Sequence, residues 1–218
     1  MTYEAVKNNP AVKIYIEMAD KSLAALGFTE HSYAHVGMVA RRAGDILETV
    51  GAEPRQVELC KIAAHLHDIG NLVNRSEHSQ SGAVMAFQLL GDMGFPPEEI
   101  AEISTAIGNH DEGTGVPVSP LAAALILADK SDVRRSRVRN IDPATFDIHD
   151  RVNWSVTETD LVISPDKTQI RLYLTIDTTL CSIMDYFEIF LGRMTLCRRA
   201  AEKLGLVFGL TINGQDLL

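Results

Sequence analysis

The chain has 218 residues and a mass of 23.9 kDa, enough for one sizeable hydrophobic core and, by length, one main domain. Apolar residues make up 46% and charged residues 22%, which excludes disordered, collagenous and coiled-coil classes. A net charge of -9 argues against a surface that grips a nucleic acid polymer or an anionic membrane, while leaving room for a local basic pocket.

The first two thirds read as successive helices. Asn9-Pro10 opens one that carries Val12, Ile14, Ile16, Met18 and Leu23 and stops before Gly27. A second runs from about His31 to Val50 and is closed by Gly51. Pro54 opens a third, with Val57, Leu59, Ile62, Ala63 and Leu66 on its apolar stripe, that ends near Gly70. Further helices are expected at 78 to 92, at 97 to 109 behind Phe95-Pro96-Pro97, and at 120 to 139 behind Ser119-Pro120, the last either continuous or broken near Lys130. Near residue 158 the period changes to alternation. Leu161 and Ile163, then Ile170, Leu172, Leu174 and Ile176, flank Ser164-Pro165-Asp166-Lys167 as in a hairpin. A long helix follows from 179 to 204, and Leu206 to Ile212, with Asn213-Gly214 behind it, suits a third strand. The fold class expected is mainly α, a helical core over 1–140 with a packed C-terminal appendage over 141–218: an antiparallel hairpin or three-stranded sheet and a long helix.

Cys60, Cys181 and Cys197 match neither a zinc ribbon nor a disulfide framework and read as buried thiols of a reducing compartment. Without a signal-peptide pattern or an apolar run near the roughly 20 residues of a membrane span, a cytoplasmic protein is expected.

The chemistry lies in histidines and aspartates at helix ends. Ala63-Ala64-His65-Leu66-His67-Asp68-Ile69-Gly70 sets an imidazole beside a carboxylate at the end of an apolar helix. A carboxylate there is costly unless it is paired or holds a metal. His35, His78 and His110 supply the same donor type from three other stretches, and Asp129 ends the apolar run from Leu121 to Ala128.

This ordered set resembles the HD superfamily of metal-dependent phosphohydrolases, over roughly residues 29 to 139. The family pattern of a His on one helix, a His-Asp pair ending the next, further histidines and a distal Asp is matched by His35, His67 with Asp68, His78 and His110, and Asp129. The resemblance implies a helical bundle that holds a divalent metal through His35, His67, Asp68 and Asp129. It also implies a second ion served by His78 and His110, with Asp68 bridging. These donors do not distinguish iron, manganese, zinc, cobalt or magnesium, nor one ion from two. The function implied is hydrolysis of a phosphate ester or anhydride of a small phosphorylated molecule, foremost a nucleotide, by a hydroxide held on the metal. Two other classes stay open at this point: a diiron oxygenase built on the same six residues, and a nucleotide sensor without turnover.

Beyond Asp129 the segment Lys130 to Arg139 reverses the sign of the protein. If the helix continues, Lys130, Arg134 and Arg137 share one face, with Lys130 and Arg134 the foremost phosphate contacts. Catalytic roles fall to Asp68 and Lys130, and substrate binding to Lys130, Arg134, Arg137 and His110. No general acid is assigned; Asp132 and His110 are the candidates.

Plainer readings exist for several of these residues. His78 can be a solvated first helical residue, His110 a C-cap, and the arginine run a solvated face. His31 is expected in the pocket or on the surface, His65 as a satisfied core histidine, and His149 with Asp150 in surface or inter-element contacts. Trp154 is expected to anchor the appendage. The apolar helix around Met184, Phe187, Phe190 and Met194 suits the core or a homodimer face.

Overall fold

Prolines and side-chain caps decide where the helices start. Pro10, Pro54, Pro97 and Pro120 each occupy the first turn of a helix, where the missing N–H costs nothing. The side chains of Asn9, Ser32 and Ser119 accept N–H groups of the turn that follows. In the computed structural model, which describes residues 1–218, the core helices are α1 (Tyr3–Lys7), α2 (Pro10–Ala25), α3 (Tyr33–Thr49), α4 (Pro54–Leu66), α5 (His78–Asp92), α6 (Pro97–Gly108) and α7 (Pro120–Lys130). They are followed by α8 (Ile148–Ser155), strands β1 (Val156–Ile163) and β2 (Gln169–Ile176), α9 (Ile183–Lys203), and strands β3 (Val207–Ile212) and β4 (Gln215–Asp216). The fold is mainly α with one small sheet. No helix is long and apolar enough to cross a membrane.

Helix α7 is the axis of the molecule. Every residue from Leu121 to Lys130 is buried, as befits a helix apolar all round, and it packs against α3, α4, α6 and α9. Its last turn therefore delivers Asp129 and Lys130 to the interior. The α-helix stops there. Ser131 caps it, with its hydroxyl donating to Ala128 O at 2.9 Å, and Arg134 is extended before a single 3-10 turn at Arg135–Arg137. A helical face shared by Lys130, Arg134 and Arg137 does not exist, because Asp132 is drawn to His35 and Arg137 to the main chain of Glu30.

The sheet has four strands, in the order β1-β2-β3-β4. Hairpin β1-β2 pairs Leu161 with Leu172 and Ile163 with Ile170. The third strand departs from a plain antiparallel sheet, since β3 runs parallel to β2, with Leu172 opposite Leu210. Parallel neighbours need a crossover, and α9 provides it. Asn213 and Gly214 both have positive φ, 51° and 77°, which suits a tight hairpin turn that returns the chain as the short β4. One apolar cluster of 51 buried residues runs from Val6 in α1 to Ile212 in β3, so the sheet and α9 share the core of the helical bundle.

Gly70 positions α5. A Cβ there would lie 2.0 Å from His78 O and 2.5 Å from Gly82 N, so only glycine lets the turn after Asp68 touch the start of α5. The three cysteines are free and buried. Trp154 stacks edge-on against Phe146 and under Arg135, an anchor for the segment that leads into the sheet.

His65 departs from expectation. It is buried against the edge of Tyr3, but neither ring nitrogen has a hydrogen-bond partner. Burial pushes it down to about 4, with Lys7 and His67 adding to the effect. The unfolded chain binds a proton on His65 between pH 6.5 and about 4 that the folded chain refuses. Stability contributed by the neutral ring is therefore complete above pH 6.5 and lost as pH falls. In chelator-treated protein, thermal unfolding across this window should show a slope from His65 of up to about 1.4 kcal/mol per pH unit. His65→Leu should reduce that slope; an unchanged slope would assign it to other groups.

Candidate metal centre

Five helix ends converge on one interior point. His35 lies in the first turn of α3, His67 and Asp68 at the end of α4, His78 at the start of α5, His110 just past α6, and Asp129 in the last turn of α7. All six are buried.

The four imidazoles are held in one tautomer. Nδ1–H donates to Ala64 O from His67 at 2.7 Å, to Arg75 O from His78 at 3.1 Å, and to Ile107 O from His110 at 2.6 Å. Carbonyl oxygens only accept, so these Nδ1 atoms carry the proton. His35 Nδ1 faces Asp132 Oδ2 at 2.7 Å in the same role. In the neutral rings each Nε2 therefore offers a lone pair to the centre. His35 Nε2 lies 3.4 Å from His67 Nε2, and His78 Nε2 lies 3.3 Å from His110 Nε2. Lone pairs facing each other at such distances repel unless a cation or a proton lies between them.

The carboxylates complete the donor set. Asp68 Oδ2 is buried with no hydrogen-bond partner, 3.2 Å from His67 Nε2 and 3.4 Å from His35 Nε2. Asp129 Oδ1 is 3.4 Å from His35 Nε2 and 3.6 Å from His67 Nε2. The other oxygen, Asp68 Oδ1, accepts from Asn71 at 3.1 Å and faces His78 Nε2 at 3.5 Å and His110 Nε2 at 4.0 Å. Donors bound at about 2.1 Å to one ion sit roughly 3.0 to 3.5 Å apart, so the spacing suits a divalent cation. The triads His35, His67, Asp129 and His67, Asp68, His110 each bring their ligand atoms within 4.8 Å of one another. An orphaned carboxylate oxygen among converging lone pairs is the feature that fits a metal.

Electrostatics agree. Burial pushes the Asp68 carboxyl up and the His67 ring down, but their mutual attraction prevails: Asp68 is held well below the carboxylate range, and Asp68 with Asp129 holds His67 up at about 10. A cation entering beside His67 competes with that proton. Burial, His67 and Lys130 together push His110 well down, leaving a neutral ring.

A chain of charges surrounds the donors. Lys130 Nζ lies 2.8 Å from Asp129 Oδ2 and 2.6 Å from Glu112 Oε2, an ion pair off the axis of a hydrogen bond. Arg193 of α9 donates from Nε to Glu112 Oε1 at 2.9 Å. Lys130 thus reaches the centre as expected, with its ammonium already engaged by two carboxylates. Arg137 is buried, donates to Glu30 O and Asp132 O at 2.9 Å each, and borders the chamber. Arg134 instead pairs with Asp132 at 2.8 Å and with Glu30, behind His35 and outside the chamber wall. Asp132 is no general acid: it is fully buried and bonded to His35, Arg134 and the Arg137 side. His110 cannot release its Nδ1 proton without losing its bond to Ile107 O.

Several residues here were not singled out by the sequence. Arg75 reaches Asn71 Oδ1 and His78 Nε2, both at 3.4 Å, and borders the chamber with Arg193 and His31. A lone arginine between Phe190 and Cys197 on an apolar helix was the available signal for Arg193; nothing in the sequence around Arg75 stood out. His31 falls in the pocket, its Nδ1 on Thr29 O at 2.7 Å. His149, Asp150 and Asn153 line an adjoining cavity of about 150 Å³.

Residues 32–134 match the family model of the HD domain. An uncharacterised protein of Methanocaldococcus jannaschii is 27% identical over 210 residues, spanning 85% of this chain and 80% of that protein, a likeness that extends beyond the residues matched by the family model. The crystal structure of a predicted HD superfamily hydrolase from an uncultured Thermotogales bacterium is 25% identical, covers 60% of this chain and 73% of that chain, and superposes with a TM-score of 0.44.

Two substitutions test the donor set. Asp68→Ala should abolish bound metal, measured by elemental analysis, while far-UV circular dichroism keeps its helical signal. Asp132→Asn should weaken metal affinity about 10- to 100-fold in chelator competition, because His35 loses the partner that orients it. Full metal retention by Asp68→Ala would refute the site.

Proposed function

We propose that this protein, whose residues 32–134 match the HD domain, is a metal-dependent phosphohydrolase that cleaves a phosphate ester or anhydride of a small phosphorylated molecule. The observation that carries the reading is the buried Asp68 carboxylate, with one unpartnered oxygen, among four Nε2 atoms whose Nδ1 partners fix their direction. Two ions would be held, one by His35, His67 and Asp129 and the other by His78 and His110, with Asp68 offering an oxygen toward each pair of histidines.

Divalent ions held there would lower the pKa of coordinated water to about 7 and polarise the phosphoryl group. The chain's own residues do the rest. Asp132 keeps the His35 ring aimed inward, and Lys130 pulls on Asp129 from outside the donor set, fixing which of its oxygens faces the histidines. Arg75, Arg137 and Arg193 bring guanidinium groups to the chamber wall, where they suit phosphoryl oxygens and the charge that grows on them in the transition state. Arg75 lies within reach of the His78 lone pair, so ion occupancy at His78 and engagement of Arg75 with phosphate support each other. A cytoplasmic setting is proposed on the three free, buried thiols. The nucleotide expectation rests on the resemblance to the HD superfamily.

Purified, metal-loaded protein should carry two divalent ions per chain and release phosphate from members of a phosphoester and nucleotide panel. His78→Ala with His110→Ala should lower the ion count from two to one; an unchanged count would remove the second site. Tight nucleotide binding without phosphate release would replace the hydrolase by a sensor. Oxygen-dependent turnover with a mixed-valence diiron signal would replace it by an oxygenase.

A further inference from the structure

We infer that the cavity beside the metal centre receives the leaving group of a phosphate monoester, and that this group is compact, rich in hydroxyl or amino groups, and free of a second phosphate. The inference rests on the phosphohydrolase reading and narrows its substrate class.

The two spaces are continuous in their walls. His31, Arg75, Arg137 and Arg193 border both the donor chamber and the cavity of about 150 Å³, so they form the neck between them. The neck is cationic and has donors to spare. Arg75 uses only Nη1, on Asn71 and His78, and has no carboxylate within 4.0 Å. Arg193 uses Nε on Glu112 and keeps both terminal nitrogens. A phosphoryl dianion placed at the ions would meet these free N–H groups on its outer side.

The far end of the cavity has the opposite character. It is built by α8 and the residue before it, outside the matched HD segment. Asp150 is 8% exposed and has no basic group within 4.0 Å; its one contact is a long bond from Asn140 at 3.4 Å. Asn153 is 6% exposed, and while its amide donates to His149 O at 2.9 Å, its Oδ1 accepts nothing from the chain. Asp147 adds a second carboxylate, one oxygen of which caps α8. A wall of unfilled acceptors suits hydroxyl or ammonium donors, and two carboxylates repel a further phosphate.

Size and aromatic content point the same way. Ligand pockets for drug-sized molecules span about 300 to 1,000 Å³, so this space favours a single ring or a short polyol. Its two aromatic residues, Phe28 and Phe190, each lie under a guanidinium, of Arg75 at 5.7 Å and Arg193 at 4.5 Å. Those ring faces are taken, which leaves poor footing for a stacked base. The reaction consumes one water: its oxygen forms the new bond to phosphorus, the ester P–O bond breaks, and a proton from water goes to the departing alkoxide, giving alcohol and inorganic phosphate.

The full chain loaded with Mn²⁺ should be assayed on p-nitrophenyl phosphate, on ribose 5-phosphate and fructose 6-phosphate, on ribose 1,5-bisphosphate and fructose 1,6-bisphosphate, and on AMP and ADP. At least one sugar monophosphate is expected to exceed its bisphosphate and both nucleotides at least tenfold in kcat/KM. Calorimetric titration should show the same order in affinity, and Asp150→Asn should shrink the monophosphate to bisphosphate affinity ratio at least fivefold. Hydrolysis of p-nitrophenyl phosphate with bisphosphates or nucleotides preferred would overturn the inference and leave the phosphohydrolase reading standing. Failure to hydrolyse any ester would overturn that reading, and the affinity ratio would then decide the cavity by itself. A bisphosphate bound as tightly, no sugar phosphate bound, or a ratio unmoved by Asp150→Asn would overturn the inference.

Discussion

The molecule is organised around a repulsion that must be relieved. Four imidazoles aim their Nε2 atoms at one another, and two buried carboxylates sit among them. Such a group of acceptors is costly by itself, since Asp68 Oδ2 has no hydrogen-bond partner and the Nε2 atoms face one another in pairs. Protons relieve part of the strain, as the raised His67 shows, and a divalent cation relieves more of it. The helices therefore do more than pack: α3, α4, α5, α6 and α7 end, or begin, where a donor is needed, and the carbonyls of Ala64, Arg75 and Ile107 hold the Nδ1 atoms that set the direction of three of the rings.

Outside the donors, charge is arranged in alternation. Asp129, Lys130, Glu112 and Arg193 form a chain that passes from α7 through the loop after α6 to α9. Burial of any one of these would be costly alone; together each neutralises its neighbour. The chain also links the C-terminal third of the protein to the centre, because Arg193 belongs to the crossover helix between two parallel strands. The appendage is thus a wall of the site as well as a part of the core.

Much of this was legible in the sequence, for a physical reason. A carboxylate beside an imidazole at the end of an apolar helix, as at His67 and Asp68, and another after an apolar run, at Asp129, call for an explanation without any tertiary information, and the family resemblance joins them to His35. The caps and prolines fix helix starts locally, and the alternation of Ile170 to Ile176 fixes a strand. What escaped was everything decided by distant partners. The course of the chain after Lys130 follows from the pull of His35 on Asp132, 97 residues away in sequence. The role of Asp132, the pairing of Arg134 and the entry of Arg75 and Arg193 all depend on loops whose course no local pattern dictates. The parallel β2-β3 pair was equally hidden, since alternation marks a strand and says nothing of its direction. His65 was read as buried, but its lack of any partner is a property of the packing around it.

The close approach at Gly70 bears on how the two halves of the donor set keep their spacing. His67 and Asp68 stand on one side of that contact and His78 on the other, and the contact is main chain against main chain. Side chains repack between rotamers on fast timescales, whereas two backbones touching through a glycine have no soft element between them. The gap between the donor groups is therefore a dimension of the scaffold, comparable to the pitch of a helix. A donor set with that property would present the same distance across it to whichever ion it held.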